Sequence, residues 1–130
     1  MNNVNQKIKS FTDLKVWQEG HRLVIMVYEI TKNFPKQELY LLIDQMRRAV
    51  ASITSNIAEG FGRQSYKEKI QFYYLAQGSL TELKNQILIA KDVDYLKEEE
   101  LLRLAQQANK VHALLQGLIQ KTKSFLNHKS

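Results

Sequence analysis

The 130-residue chain contains no cysteine and a single proline, Pro35. Without thiolates, the chain can form neither a disulfide framework, a cysteine nucleophile nor a cysteine-ligated zinc site. No uncharged apolar run reaches the roughly eighteen residues that would span a bilayer, and the polar start MNNVNQKIKS lacks an apolar signal core. We therefore expect a cytoplasmic protein with no membrane-spanning segment.

Negative charge is absent from the C-terminal part, since no Asp or Glu follows Glu100. The net charge of +6 is thus unevenly distributed, and basic residues form two groups along the chain. The earlier group is Arg47, Arg48, Arg63, Lys67 and Lys69, and the later one includes Lys110, Lys121 and Lys123. A polarised surface of this kind favours polyanionic partners, RNA or DNA, and a solvated face that only keeps the protein soluble is the alternative.

Helical spacing of apolar residues with little punctuation predicts four long helices. Their approximate ranges are 13–33, 37–61, 66–93 and 98–126, with residues 1–11 and 127–130 flexible. Thr12 is the expected N-cap of the first helix, and Ser65 with Glu68 matches a capping box before the third. Four helices joined by short turns predict one all-α domain over residues 1–130, an antiparallel up-down-up-down four-helix bundle.

Apolar stripes mark the predicted core. In the second helix the stripe comprises Leu39, Leu42, Met46, Val50, Ile53 and Ile57, and in the third Ile70, Tyr73, Leu80, Leu83, Ile87 and Ala90. Three consecutive aromatic residues, Phe72, Tyr73 and Tyr74, cannot all face this core, because neighbours on a helix are about 100° apart. At least one of them is expected at the surface or at a subunit contact.

Polar residues follow the apolar stripe of two adjacent helices at helical spacing. The second helix carries Gln45, Ser52, Asn56 and Glu59, and the third carries Ser79, Glu82 and Gln86. We call this set the polar seam. Such residues can hydrogen-bond within the bundle or across an oligomer interface, or they can simply face water. Spacing alone does not choose among these alternatives.

Catalytic and metal-binding patterns are missing from the sequence. A di-iron bundle needs Glu-x-x-His pairs, and the three histidines, His21, His112 and His128, stand far apart and outside such pairs. Gly60 and Gly62 follow a helix rather than a strand, so they do not form a phosphate-binding loop. We therefore expect no enzyme activity, no metal and no cofactor.

The stretches FTDLKVWQEGHRL, FPKQELYLLIDQMRRAVASITSNIAEGFGR and GSLTELKNQI carry a family resemblance. In this order and spacing, the chain resembles the four-helix bundle proteins encoded by intervening sequences in bacterial 23S ribosomal RNA genes, over residues 11–125. A related branch serves as the accessory protein of diversity-generating retroelements, in which five bundles form a basic ring that engages nucleic acid. The resemblance implies a homopentamer. One departure is Lys97, where many relatives have a serine-type cap.

Two functions of different classes are compatible with these features. The first is a nucleic-acid-binding oligomer that contacts phosphates through lysine and arginine, whose binding weakens as salt rises. The second is a ring-shaped scaffold that presents a surface to a protein partner, with weak affinity for nucleic acid. The acid-free fourth helix favours the first, and the lack of a nucleic-acid recognition motif opposes it.

Overall fold

The computed structural model describes residues 7–129 and contains four α-helices. They are α1 (Lys15–Thr31), α2 (Leu42–Phe61), α3 (Tyr66–Asp92) and α4 (Glu98–Lys129). Two short 3₁₀ turns, Phe11–Asp13 and Lys36–Glu38, precede α1 and α2. No strand occurs among these residues.

The helices form the predicted antiparallel bundle. Each helix contacts the next one along the chain, α4 packs back onto α1, and within residues 7–129 no Cα atoms of the diagonal pairs lie within 8 Å of each other. α2 and α3 form the most extensive interface. One apolar core lies between the four helices, and its fully buried side chains include Leu23, Met46, Ile53, Leu80 and Leu115. The fold class predicted from the sequence is confirmed.

The chain enters α1 through a capped 3₁₀ turn, which differs from the expected Thr12 cap. Ser10 Oγ accepts a hydrogen bond from the Thr12 amide, and Asp13 Oδ2 accepts one from the Ser10 amide. This reciprocal box caps the 3₁₀ turn, and α1 then begins at Lys15 without a side-chain cap. Within the range 1–11 expected to be flexible, residues 1–6 lie outside the described part, whereas Ser10 and Phe11 belong to this ordered turn.

The start of the second helix also differs from its predicted position at residue 37. After Pro35 the chain makes the 3₁₀ turn, and Leu41 has an irregular backbone (φ −118°, ψ −107°) before α2 begins at Leu42. Leu39 therefore falls outside the helical register and is exposed instead of joining the core stripe. Glu38 fixes this corner, because its carboxylate accepts hydrogen bonds from the Leu42 amide and the Tyr95 hydroxyl.

The remaining helix boundaries lie close to their predicted positions, except at the C-terminal end. Ser65 Oγ accepts a hydrogen bond from the Glu68 amide at the start of α3. α4 continues to Lys129, three residues beyond its predicted end at 126, and residue 130 lies outside the described part. Thr122 remains buried near this end and Tyr66 packs on Phe125 at 5.3 Å, so contacts with the bundle support the last turns.

Candidate nucleic-acid interface

The centre of the polar seam joins α2 to α3. Ser52 Oγ and Ser79 Oγ are 2.8 Å apart, and Asn56 Nδ2 donates to the carbonyl and hydroxyl oxygens of Ser52 at 2.9 and 3.0 Å. All three residues are half-buried. Their short side chains allow the two helices to approach closely while their polar groups remain hydrogen-bonded.

The outer members of the polar seam are placed differently. Gln45, Glu59 and Glu82 are exposed, and Glu59 pairs with Arg63 at 3.0 Å. Gln86 is buried, and its Oε1 has no hydrogen-bond partner within the described residues. The structure therefore brings the middle of the seam together inside one chain, leaves Gln45, Glu59 and Glu82 on the surface, and buries Gln86. A contribution of this set to an oligomer interface stays a prediction.

Arg47 and Arg48 lie near the start of α2 and have different surroundings. Arg47 is half-buried, donates from Nε to Thr31 Oγ1 at 3.0 Å, and its guanidinium lies over the Tyr28 ring. Arg48 is exposed and pairs with Asp44 at 3.0 Å. Arg47 therefore helps to hold α1 against α2. Arg48 is free to leave the Asp44 carboxylate and pair with another anion.

The basic residues around the α2–α3 turn are also distinct from one another. Lys69 Nζ donates to the carbonyl oxygens of Phe61 at 2.6 Å and Gly60 at 3.4 Å, which caps the C-terminal end of α2. Burial lowers the pKa of Lys69 below its ordinary value. Arg63 lies over the Phe72 ring at 4.6 Å, and Lys67 is exposed without an ion-pair partner within residues 7–129. Lys67 is consequently the more accessible of the two lysines.

Three basic side chains of α4 were predicted to bind nucleic acid. Lys123 lies over the exposed Tyr74 ring at 5.3 Å, and Lys110 pairs with Glu19 at 3.5 Å. Lys121 is exposed and lines a surface groove between α4 and the start of α1. The aromatic triplet behaves as predicted, since Tyr73 is buried, Phe72 is half-buried and Tyr74 is exposed.

The residues of the earlier basic group do not lie together in the structure. Arg48 and the α2–α3 turn lie at opposite ends of α2, roughly 20 Å apart at 1.5 Å per residue. Phe72 and Tyr74 point about 200° apart on α3, so Arg63 and Lys123 flank this helix on opposite sides. The earlier basic group is therefore spread over the bundle.

A buried charged group that the sequence analysis did not single out lies between α1 and α4. The Glu19 side chain is only 4% exposed, and its carboxylate lies 3.3 Å from Lys15 Nζ, 3.7 Å from Arg22 Nε and 3.5 Å from Lys110 Nζ. Gln107 Nε2 donates to Glu19 Oε1 at 2.9 Å and to its backbone carbonyl at 2.8 Å. The Gln107 hydrogen bond and the nearby lysines hold the pKa of Glu19 below its usual value, although burial opposes them.

Two of the three histidines, His21 and His112, have side chains that the structure describes, and the His128 side chain lies outside the described part. His21 stacks on Trp17 with ring centroids 4.9 Å apart. Burial, aided by Lys84, lowers the pKa of His112. No group of three or more His, Cys, Asp or Glu side chains in this part of the chain is arranged to hold a metal ion. Likewise, no helix of this part combines the length and apolar character required to cross a membrane.

The comparisons with known proteins identify the family. The model of the 23S rRNA-intervening sequence protein family matches residues 12–117, which include nearly all of the bundle. The chain belongs to this family. A search of curated proteins found no match.

The fold of this 23S rRNA-intervening sequence protein is also found in a crystal structure. That structure is of a protein of unknown function from the S23 ribosomal protein family of Bacteroides thetaiotaomicron VPI-5482. The two share 20% sequence identity with a TM-score of 0.72, over 80% of this chain and 97% of the other. At this identity the similarity establishes a common fold.

Proposed function

We propose that this 23S rRNA-intervening sequence protein is a non-enzymatic homo-oligomer, a pentamer, that binds RNA or DNA in the bacterial cytoplasm through its basic surface. The observation that carries the proposal is the charge of α4 beyond its first turn. There the described side chains include no carboxylate, and Arg103, Lys110, Lys121 and Lys123 are all exposed. Phosphate contacts from such residues release counterions, which drives binding without reading sequence.

Self-association would multiply these contacts. The outward surface of α3 supports it, because large apolar side chains there are 42–55% exposed: Tyr74, Leu75, Leu88, Ile89 and Val93. Apolar residues repeated along one exposed helix are typical of a surface that another protein covers. A ring of protomers would then present several copies of α4 to one long nucleic acid, and weak contacts would add through avidity.

The second candidate is a scaffold that binds a protein instead of nucleic acid. The same exposed apolar residues of α3 favour it, since they suit a protein partner as well as a second copy of the chain. In that case the basic residues of α4 maintain solubility, and RNA binding is weak at any salt concentration.

The experiment is a mass measurement followed by a binding titration. Light scattering in the micromolar range should give the mass of a closed oligomer, and a monomer mass would contradict the oligomer. A labelled RNA oligonucleotide and a DNA of the same sequence are then titrated at two salt concentrations. Affinity that falls steeply with salt supports the proposal, whereas no retention of either probe at low salt favours the scaffold.

Two charge variants locate the binding surface. One replaces Arg48, Arg63 and Lys67 by alanine, and the other replaces Lys110, Lys121 and Lys123, with circular dichroism as the check on folding. For the affected variant, a plot of log affinity against log salt concentration should be shallower. Its slope should fall by about one unit for each phosphate that the variant no longer neutralises. Unchanged binding by both variants would contradict a role for these residues.

The contribution of the polar seam to assembly is tested by Asn56→Leu. Leucine cannot donate the two hydrogen bonds that Asn56 makes to Ser52, but it retains helix propensity. We expect a change in oligomer mass or solubility larger than the change in helicity. An unaltered mass and melting temperature would indicate a seam without a role in assembly.

A further inference from the structure

The face shared by α1 and α4 has a continuous row of cations. Lys15 and Arg22 lie seven residues apart on α1, and both contact Glu19. On α4, Arg103, Lys110 and Lys121 follow at intervals of seven and eleven residues, which keep them on one edge of the helix. Contacts of Gln107 and Lys110 with Glu19 show that this edge faces α1. We call these five residues the cation row.

Around Glu19 the cation row carries more positive than negative charge. Three cations, Lys15, Arg22 and Lys110, contact the one carboxylate of Glu19. Acids flank the row at its other end, where Glu29 lies one heptad beyond Arg22, and Glu99 and Glu100 lie one turn before Arg103. Glu19 is buried, while the side chains of Lys15, Arg22 and Lys110 are 62%, 73% and 53% exposed. The anion thus lies beneath the cations and draws them together, and the surface that meets solvent is positive.

Small residues open a groove at one end of the cation row. Ala113 and Gly117 lie between Lys15 and Lys121, and the groove measures about 430 Å³. A side chain built on Gly117 would meet no atom within 4 Å, so this position opens directly to solvent. From Arg103 to Lys121 the row extends about 27 Å along α4, a length over which several consecutive phosphates of a strand can lie.

We infer that the α1–α4 groove is where this protein binds nucleic acid, with the phosphodiester backbone lying along the cation row. The inference rests on the proposed function and gives it a location. Lys15 and Arg22, neither of which the sequence patterns indicate, join the α4 lysines as phosphate contacts. Because Glu19 already holds three of the cations in place, less side-chain freedom is given up when a phosphate arrives. If the protein contacts only the phosphodiester backbone, its affinity should depend little on base sequence.

The test places a negative charge in the groove without disturbing the core. Gly117→Glu adds a carboxylate between Lys15 and Lys121 at an open helical position, where glutamate has a higher helix propensity than glycine. Gly117→Gln is the control for size. Gln37→Glu makes the same charge change at an exposed residue of the 3₁₀ turn before α2, outside both the groove and the exposed apolar residues of α3. Light scattering measures the oligomer mass of each variant.

The probes are a labelled single-stranded RNA homopolymer longer than the groove, a DNA of matching length, and polyglutamate as an acidic polypeptide. Gly117→Glu should weaken binding of the nucleic-acid probes by about tenfold at low salt and reduce the salt slope by about one unit or more, whereas Gly117→Gln and Gln37→Glu bind like the parent. A difference between the RNA and DNA arms identifies the preferred nucleic acid.

The outcomes separate this inference from the proposed function. If the parent protein binds RNA or DNA and Gly117→Glu binds equally well, or if Gln37→Glu loses as much affinity, the groove is not the site although nucleic-acid binding stands. If the parent retains neither probe at low salt, both the inference and the proposed function fail. Binding of polyglutamate alone assigns the groove to an acidic protein and overturns the inference.

Discussion

The buried Glu19 offers a sharp test of how α1 and α4 are held together. Only one of the two Gln107 hydrogen bonds depends on the Glu19 side chain, since the other goes to the backbone carbonyl. A hydrogen bond to a charged group contributes about 1.5–3 kcal/mol, and each exposed cation adds about 0.5 kcal/mol. Three cations contact Glu19, so Glu19→Ala should lower the free energy of unfolding by about 3–4.5 kcal/mol. Glu19→Gln, which keeps an acceptor oxygen, should cost about 1–2 kcal/mol.

The pH dependence of this cost has a definite sign. The pKa of Glu19 in the folded protein lies below its ordinary value of 4.5, so the carboxylate stabilises the fold above that pH. This contribution is lost as pH falls through the folded pKa. The difference in stability between the parent and Glu19→Gln should accordingly be full at neutral pH and shrink below about pH 4.5. Asp13, whose pKa is also lowered, is present in both proteins and cancels in the difference.

The assay is urea unfolding followed by circular dichroism at a fixed protomer concentration, because the stability of an oligomer depends on concentration. Glu29→Gln is the matched control, an exposed glutamate on the same edge of α1, with an expected cost below about 0.5 kcal/mol. A Glu19→Gln penalty that is equal at neutral and acid pH would refute the role of the ionised carboxylate. A penalty no larger than that of Glu29→Gln would refute the interhelical network.

Packing makes further predictions, all measured by urea unfolding at one protein concentration. Gly60→Ala should cost about 1–3 kcal/mol, because the new Cβ would lie 2.6 Å from Cε1 of the buried Tyr73 ring, whereas Gly117→Ala should stabilise by about 0.5–1 kcal/mol. Leu115→Ala empties a fully buried position and should cost about 2–5 kcal/mol, but Leu102→Ala, at a side chain 54% exposed, should cost about 0.5 kcal/mol or less. Equal stability within either pair would contradict the packing described.

The fold was largely predictable because helical periodicity reports burial directly. Every residue of the predicted third-helix stripe, from Ile70 to Ala90, is buried. The errors fall at helix ends, where local turns compete with the helix. Pro35 signals a break, but nothing in the sequence distinguishes an immediate α-helix from a 3₁₀ turn followed by the irregular Leu41, and so Leu39 was assigned to the wrong face.

The candidate site was less predictable because it depends on which helices become neighbours. Grouping Arg47 with Lys69 by sequence joined residues that α2 separates along its length. Glu19 was missed although one signal was present: it lies between Val16 and Leu23 at helical spacing, on the edge of an apolar stripe. A carboxylate at such a position requires partners. Its partners are Gln107 and Lys110, and Gln107 is 88 residues from Glu19 in the sequence, so the spacing within α1 does not reveal them.

The α2–α3 and α1–α4 interfaces are held together by different kinds of contact. α2 and α3 approach closely because Gly60 and Ala76 leave room at their interface and the Ser52–Ser79 contact satisfies their polar groups. Between α1 and α4 the polar contact is instead the buried Glu19 carboxylate, and the cations that pair with it are exposed to solvent. The exposed apolar residues of α3 and the cation row of α1 and α4 lie on different helices, so self-association through α3 and phosphate binding would use separate surfaces. A substitution in the groove should then change affinity for RNA or DNA without changing the oligomer mass.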